Sequence, residues 1–335
     1  MNQKVKSALQ VLFSLSLGVF LIWYIYKDLT EEDKANIILS FKTARYEWVV
    51  LSSLIAITSH IFRAYRWKYP LESLDIKIGL GNRFAAVMIG YLANLAFPRL
   101  GEVTRCAVLA RYRKIPFEKL FGTVLAERLV DAVILVLLIF TTLVLQFDEL
   151  SGFLGEHVGS PSWTVRSWIV LGTAVAVSSL IGFFGWRFLA RSVHPVAIRF
   201  RDKLFGLVSG FATLKNMKGQ GWFYFHTLMI WVCYVLMFVV TFRTFPETAE
   251  VPIGGVLAAF TLGGITIVAV QGGLGAYPLA IMAILVVYGV PRDLGYAFGW
   301  IVWSAQTATI IIAGFVSVIA MPLLNSTLTN GPETE

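Results

Sequence analysis

Three charged residues, Glu127, Arg128 and Asp131, interrupt the apolar run 120–147. A charge at the centre of a bilayer costs about 2.5–3.5 kcal/mol on insertion scales, so a charged residue there indicates a specific role. Glu127 and Asp131 share a helix face, where like charges repel, and Arg128 is placed to pair with Asp131 across one turn. The pattern predicts either an ion network that joins helices or the wall of a polar cavity.

Two arginines, Arg63 and Arg66, lie at the end of an earlier apolar run, 46–66. A span needs about 20 residues, and only the 15 residues of 48–62 precede the first arginine without a charge, so Arg63 is drawn into the membrane. The planar guanidinium group donates two parallel hydrogen bonds to a carboxylate or phosphate. We expect Arg63 to pair with the acids of 120–147 or with a substrate. Arg66 fits the same role, or it snorkels to the interface beside Trp67.

A short uncharged segment, 84–98, lies between two basic segments. Fifteen helical residues rise only about 22 Å, which is less than a hydrocarbon core of about 30 Å. We therefore expect the segment to be re-entrant, because irregular backbone at that depth is tolerated only where protein or a water-filled cavity surrounds it. Pro98 ends the predicted helix, Gly101 permits a tight turn, and a new helix begins near Glu102.

Polar residues cluster around this predicted break. Asn94 precedes it, Arg99 lies within it, and Glu102 and Arg105 follow it. A helix N-terminus that points into the bilayer region can bind an anionic group. We predict that these four residues line a substrate path, with Arg99 and Arg105 as further partners for the acids of 120–147.

The uncharged segment 253–275 carries a similar break in the second half of the chain. Gln271 is followed by Gly272, Gly273 and Gly275, which either permit a turn or allow close helix packing. If this segment is re-entrant from the opposite face, the two broken segments form an inverted repeat of the kind found in transporters. Gln271 is then either a substrate ligand or a bond between helices.

Composition indicates a polytopic membrane protein. The chain is 57% hydrophobic and 14% charged, whereas soluble domains carry about 25% charged residues. We predict an all-α helical bundle that forms one transmembrane domain over 1–322, followed by a polar tail, 323–335. The bundle has about seven full spans in addition to the two re-entrant segments, near 7–26, 46–66, 120–147, 166–186, 222–243, 276–290 and 295–321.

Lysine and arginine counts predict the orientation, because cytoplasmic loops are enriched in both. Segments 63–83, 99–119 and 187–218 carry 5, 6 and 7 basic residues, and loops 147–164 and 244–252 carry none. This pattern predicts a multi-pass protein of the inner cell membrane with a cytoplasmic N-terminus. A full crossing of 84–98 would invert the pattern, so the charges also favour the re-entrant path.

Other chemistry has little support in the sequence. The four histidines show no metal-ligand spacing, and the two cysteines lie in contexts that do not suit a disulfide. The chain has no phosphate-binding glycine loop and no complete catalytic motif. We therefore expect no enzyme activity, no metal, no cofactor and no nucleic-acid partner.

Together these motifs resemble the flippase-like transmembrane family, which is the membrane domain of lysylphosphatidylglycerol synthase. The resemblance covers about 7–321 and rests on four motifs in order, which are Arg63-x-x-Arg66-Trp67, Asn94 to Arg105, Glu127-Arg128-x-x-Asp131 and Gly272-Gly-Leu-Gly275. It implies a protein that moves or handles anionic or modified lipids, and some relatives are linked to lipid-bound sugars. In full synthases a soluble domain follows the membrane part. We expect this chain to be a stand-alone member without it.

The second half departs from the family pattern. Many relatives have Pro before the two glycines and an acid shortly after the last one, where this chain has Gln271 and then Ala276 and Tyr277. A charge-coupled transport cycle that needs that acid is therefore weakened, and a passive pathway is less affected.

Three functions follow from this reading. The first is a lipid translocase that passes an anionic, aminoacylated or sugar-linked headgroup through a polar cavity. The others are a scaffold that recruits a partner lipid or glycan synthase, and a membrane enzyme that uses Glu127 and Asp131 on lipid-linked intermediates. For the translocase we predict a phospholipid or lipid-linked substrate bound by Arg63, Arg66, Asn94, Arg99, Glu102, Arg105, Glu127, Arg128, Asp131 and Gln271. The predicted hinges are Pro98, Gly101, Gly272, Gly273 and Gly275.

Overall fold

A computed structural model describes residues 16, 19–27, 29–97, 100–146 and 217–326. The predicted span 166–186, the basic segment 187–218 except its last two residues, and the two break residues Pro98 and Arg99 lie outside the described residues.

The described residues form helices joined by turns, with no strand among them. Short 3₁₀ turns at Phe242–Thr244 and Gln271–Gly273 connect some of the helices. The helices are α1 (19–27), α2 (Glu31–Thr43), α3 (Tyr46–Arg66), α4 (Lys68–Glu72), α5 (Leu80–Ala96), α6 (Leu100–Arg113), α7 (Phe117–Leu145), α8 (Gln220–Thr241), α9 (Pro246–Ala249), α10 (Ile253–Ala269), α11 (Ala276–Val287) and α12 (Arg292–Leu323).

Three of the described helical stretches are long and apolar enough to cross a membrane, namely Tyr46–Glu72, Gln220–Thr244 and Arg292–Leu323. Helix α7, with 29 residues, is about 44 Å long and has sufficient length as well. Large apolar side chains such as Phe315 and Ile319 lie exposed on α12, as expected for a lipid-facing surface. The predicted all-α membrane bundle is confirmed.

Two apolar clusters form the interior of the described bundle. One contains Phe238, Ile281 and Phe298 and joins α8, α11 and α12. The other contains Trp67 and Leu120 and joins the end of α3 to α5, α6 and α7. The ionic residues of α3 and α7 lie beside this second cluster, so packed apolar side chains surround them.

Both broken segments contain a 17-residue helix, and each of these helices is followed by one residue in extended conformation. Helix α5 is only about 25 Å long and ends before Phe97, and α10 ends before Val270. After α10 the chain turns through Gly272, Gly273 and Gly275, whose φ angles of 61°, 71° and 70° favour glycine. The re-entrant paths and the inverted repeat stay predictions.

Candidate functional site

Asp131 on α7 accepts hydrogen bonds from two arginines of α3. Arg63 Nη1 donates to Asp131 Oδ2 at 3.0 Å, and Arg66 donates to Oδ1 at 2.6 Å and to Oδ2 at 3.1 Å. The paired bonds from Arg66 are the bidentate geometry that suits a guanidinium group and a carboxylate. Arg66 is fully buried, so the snorkelling interpretation of this residue is not supported.

Glu127, one turn earlier on α7, is fully buried and is held by a third arginine. Arg105 Nη1 of α6 donates to Glu127 Oε2 at 2.9 Å, and Arg66 Nε lies 3.7 Å from Oε1. The Arg105 guanidinium also stacks on the ring of Trp67 at 3.5 Å, and the indole Nε1 donates to Thr123 at 2.8 Å. Cation–π stacking of this kind is strongest where water is excluded.

This buried network carries an excess of positive charge. Three guanidinium groups, those of Arg63, Arg66 and Arg105, face two carboxylates, and all five residues are at most 8% exposed. The Nε atoms of all three arginines lack a hydrogen-bond acceptor among the described residues. A buried charge without full compensation is costly, so an anion placed nearby is attracted to the network.

Arg128 is bound much more loosely than the three buried arginines. Its Nη2 lies 3.4 Å from Asp131 Oδ2, its Nη1 lies 3.9 Å from Glu102 Oε1, and its side chain is 35% exposed. Both distances exceed those of a good hydrogen bond between charged groups. Arg128 can therefore exchange these partners for another anion without leaving a buried carboxylate unpaired.

A cavity of about 500 Å³ lies against this network and extends between α3, α5, α7, α8 and α10–α12. At one end it is lined by charged or polar groups, among them Arg63, Arg128 and Asp131, and most of its remaining wall is apolar. The buried Nδ1 of His60 and Nε1 of Trp231, which belong to two lining residues, have no hydrogen-bond partner among the described residues. The shape and lining suit an amphipathic molecule with an anionic end.

Two tyrosines connect this cavity to the ion network. Arg63 Nη2 donates to the Tyr234 hydroxyl at 3.0 Å, and the hydroxyls of Tyr234 and Tyr91 are 3.3 Å apart. The ring of Tyr91 in turn lies 4.7 Å from that of His60. These groups extend the polar surface of the cavity beyond the formal charges.

The two broken segments meet at Asn94. Its side-chain oxygen accepts a hydrogen bond from the Gly101 amide at 2.6 Å, and its carbonyl accepts one from Gln271 Nε2 at 2.7 Å. Trp303 Nε1 then donates to the carbonyl of Gly272 at 2.7 Å. Gln271 thus acts as a bond between helices, which was one of its two predicted roles.

Replacing Gln271 by leucine should lower the free energy of unfolding by about 0.5–1.5 kcal/mol. The substitution removes the donor to the carbonyl of Asn94, at the end of α5, and a partly buried hydrogen bond contributes about that amount. Equilibrium unfolding in mixed detergent micelles measures the change. An unchanged stability would mean that the contact does not join the two segments.

The structure brings most of the predicted site residues to one place. A small pocket beside Arg128 is lined by Asn94, Gly101, Glu102 and Arg105, and Arg63 faces both this pocket and the central cavity. Arg66 and Glu127 lie behind this surface and line neither cavity. The roles predicted for Pro98 and Arg99 concern residues outside the described set.

Sequence reasoning missed the aromatic residues of the site. Tyr91 and Tyr234 are 143 residues apart in the chain, and no local pattern pairs them. One signal was available for Trp67, because it directly follows Arg66 in a segment rich in arginine, and an indole ring stacks well on a guanidinium group such as that of Arg105.

Comparison with known proteins gives the family. The lysylphosphatidylglycerol synthase TM region family matches residues 8–314. The chain belongs to this family. The resemblance drawn from the sequence motifs is therefore confirmed, and the chain is a multi-pass membrane protein of this type.

The chain is also similar to the UPF0104 membrane protein MJ1595 of Methanocaldococcus jannaschii. It is 28% identical to this chain over 134 residues, which is 39% of this chain and 38% of the relative. The matched part thus spans well under half the length of that protein. No solved structure shows significant similarity to the chain.

Proposed function

We propose that this member of the lysylphosphatidylglycerol synthase TM region family is a lipid translocase. The observation that carries the proposal is the cavity of about 500 Å³, which is apolar along most of its wall and ends at Arg63, Arg128 and Asp131. An amphipathic lipid matches both parts of this lining. Anionic phospholipids, aminoacylated phospholipids and sugars linked to a lipid through phosphate share a phosphate group, which arginines bind with paired hydrogen bonds.

Arg128 is the residue that contacts the phosphate. It faces the cavity, is partly exposed, and holds its two carboxylate partners at long distances. Binding replaces these weak contacts by charge-assisted hydrogen bonds to phosphate oxygens. On release the guanidinium returns to Glu102 and Asp131, which limits the affinity and allows turnover.

The buried network has a supporting role in this mechanism. Its net positive charge attracts the phosphate, and its bonds fix Arg63 at the cavity wall. Asn94, Glu102 and Arg105 line the small adjoining pocket, of about 20 Å³, and add to the polar surroundings of the phosphate. The cytoplasmic N-terminus and the inner-membrane location are part of the proposal.

The other two functions have less support. An enzyme that uses Glu127 and Asp131 as an acid–base pair needs at least one of them free, and both carboxylates are bonded to arginines. A scaffold has no need of a cavity with an ionic end. Either function would be indicated if the flux experiment below showed no effect.

Replacing Arg128 by glutamine should reduce lipid flux about tenfold or more, because a charge-assisted hydrogen bond contributes about 1.5–3 kcal/mol. The full chain is reconstituted into vesicles with fluorescently labelled phosphatidylglycerol, and dithionite quenching reports the lipid that reaches the outer leaflet. The exposed Arg111 on α6 supplies the matched control, Arg111→Gln, which should keep wild-type flux.

Equal flux in wild type, Arg128→Gln and protein-free vesicles would contradict the proposal. Lipids retained by the purified protein, measured by native mass spectrometry, give a second test. One lipid class enriched in wild type and lost in Arg128→Gln would identify the substrate. Bulk-like lipid in both samples would instead favour the scaffold.

A further inference from the structure

A second cavity, of about 280 Å³, lies at the junction between α4 and the start of α5. Its lining includes Lys68, Glu72, Lys77, Gly79 and Arg83, and it shares no described lining residue with the central cavity. Three basic residues thus face one acid. This cavity is separate from the site proposed for lipid translocation.

Arg83 is the most informative residue in this lining. It is only 4% exposed, and its Nε and Nη1 atoms have no hydrogen-bond acceptor among the described residues. The nearby acid, Glu72, lies 3.7 Å from Lys68 Nζ. An arginine stays charged even when it is buried, so a cavity-lining arginine with unpaired donors attracts an anion.

The N-terminus of α5 faces the same cavity. Gly79 is the N-cap residue and has no side chain to accept a hydrogen bond from the first amide groups of this 17-residue helix. Uncapped amides and the helix dipole attract an anion, most often a phosphate group. Gly79 and Arg83 both line the cavity, so the start of α5 and the arginine of its first turn lie beside the same volume.

A side chain that follows α12 in the sequence contacts this end of α5 and holds it in position. Asn325, just after α12, donates through Nδ2 to Asn82 Oδ1 at 2.6 Å. A helix end held in this way keeps its amides oriented before a ligand arrives, which reduces the ordering cost of binding.

We infer that the cavity between α4 and α5 is a second anion site, which binds a phosphate group through the α5 amides and Arg83, with Lys68 and Lys77 at its rim. The phosphate belongs either to a lipid headgroup or to a soluble phosphate compound, and the chemistry of recognition is the same.

The decisive variant is Gly79→Asp. Backbone angles of φ −63° and ψ 154° suit an aspartate at an N-cap, and a Cβ at this position meets no atom within 4 Å. The new carboxylate caps α5 from within and repels an external anion. Folding is therefore preserved, and anion binding is lost. Arg83→Gln removes the guanidinium charge as a second variant, and Arg111→Gln is the matched control.

Binding of two probes, inorganic phosphate and dioctanoyl phosphatidic acid, is measured by calorimetry and native mass spectrometry on the purified full chain in detergent. We expect Gly79→Asp and Arg83→Gln to weaken binding of one equivalent about tenfold or more, and Arg111→Gln and Arg128→Gln to retain it. Loss of both probes indicates a site for any phosphate group. Loss of the lipid alone indicates a headgroup site, and loss of inorganic phosphate alone indicates a soluble ligand.

The inference is overturned if neither probe binds, or if Gly79→Asp binds both as wild type does. If only one equivalent binds and it is lost in Arg128→Gln but kept in Gly79→Asp, it belongs to the central cavity and the inference is overturned as well. Failure of the translocase proposal leaves this result unaffected, because Arg128 does not line the second cavity.

Discussion

Replacing Asp131 by asparagine should lower the free energy of unfolding by about 3–5 kcal/mol. Asp131 accepts bonds from both Arg63 and Arg66, and neither guanidinium can lose its proton in compensation. Removing one partner of a buried ion pair leaves the other charge buried and unpaired, which accounts for that magnitude. Equilibrium unfolding of the purified protein in mixed micelles, followed by tryptophan fluorescence, measures the loss.

Glu102→Gln is the matched control for this experiment. Glu102 also pairs with an arginine, but its side chain is 30% exposed and the pair is separated by 3.9 Å. Ion pairs of this kind contribute about 0–1 kcal/mol. If both substitutions lower the free energy of unfolding by the same amount, the buried network does not stabilise the bundle, and its residues serve binding instead.

Replacing Gly101 by alanine should destabilise the bundle by about 1–3 kcal/mol and reduce lipid flux. A Cβ at this position would lie 2.5 Å from Asn94 Cγ and would overlap the carbonyl oxygen of Gly90 on the neighbouring helix. To accommodate the methyl group, α5 and α6 must separate, which also displaces Arg105 from the site. Unfolding in mixed micelles and the vesicle flux assay measure the two effects.

The control for Gly101 lies on α7. A Cβ at Gly122 meets no atom within 4 Å, and alanine is favoured over glycine in a helix by about 1 kcal/mol. Gly122→Ala should therefore keep or raise the stability and leave flux unchanged. A loss of equal size in both variants would show that the Gly90–Gly101 approach is not what requires glycine.

The sequence predicted helix bounds, turns and the need for buried ion pairs. The predicted bounds of 46–66 match α3, and glycines at 272, 273 and 275 mark the turn after α10. The pairing of Glu127 and Asp131 with arginines also followed from residue types, because buried charges require partners. These features depend on neighbours in the chain or on a general rule for charges in a membrane.

The sequence did not predict which residues on distant helices contact one another. Arg66 fitted an interfacial side chain as well as a buried one, since only the packing of α7 and α8 over it decides the matter. Gln271 contacts Asn94 from 177 positions away, and Arg83 was one of five basic residues in a segment counted only for its charge. Contacts between distant helices depend on three-dimensional packing, which no single-chain pattern specifies.

The buried network also has a consequence for the order in which the protein is made. Arg66 is synthesised 65 residues before Asp131. Translation adds about 5–20 residues per second, so about 3–13 s pass between the synthesis of Arg66 and that of Asp131. During that interval the two arginines of α3 lack the carboxylate that they bond in the folded protein, so we expect them to stay hydrated at the membrane surface or to be shielded by an insertion factor. We therefore expect α3 to reach its final position in the membrane only after α7 has been synthesised. A nascent chain that stops before Glu127 is expected to be a substrate for membrane quality control.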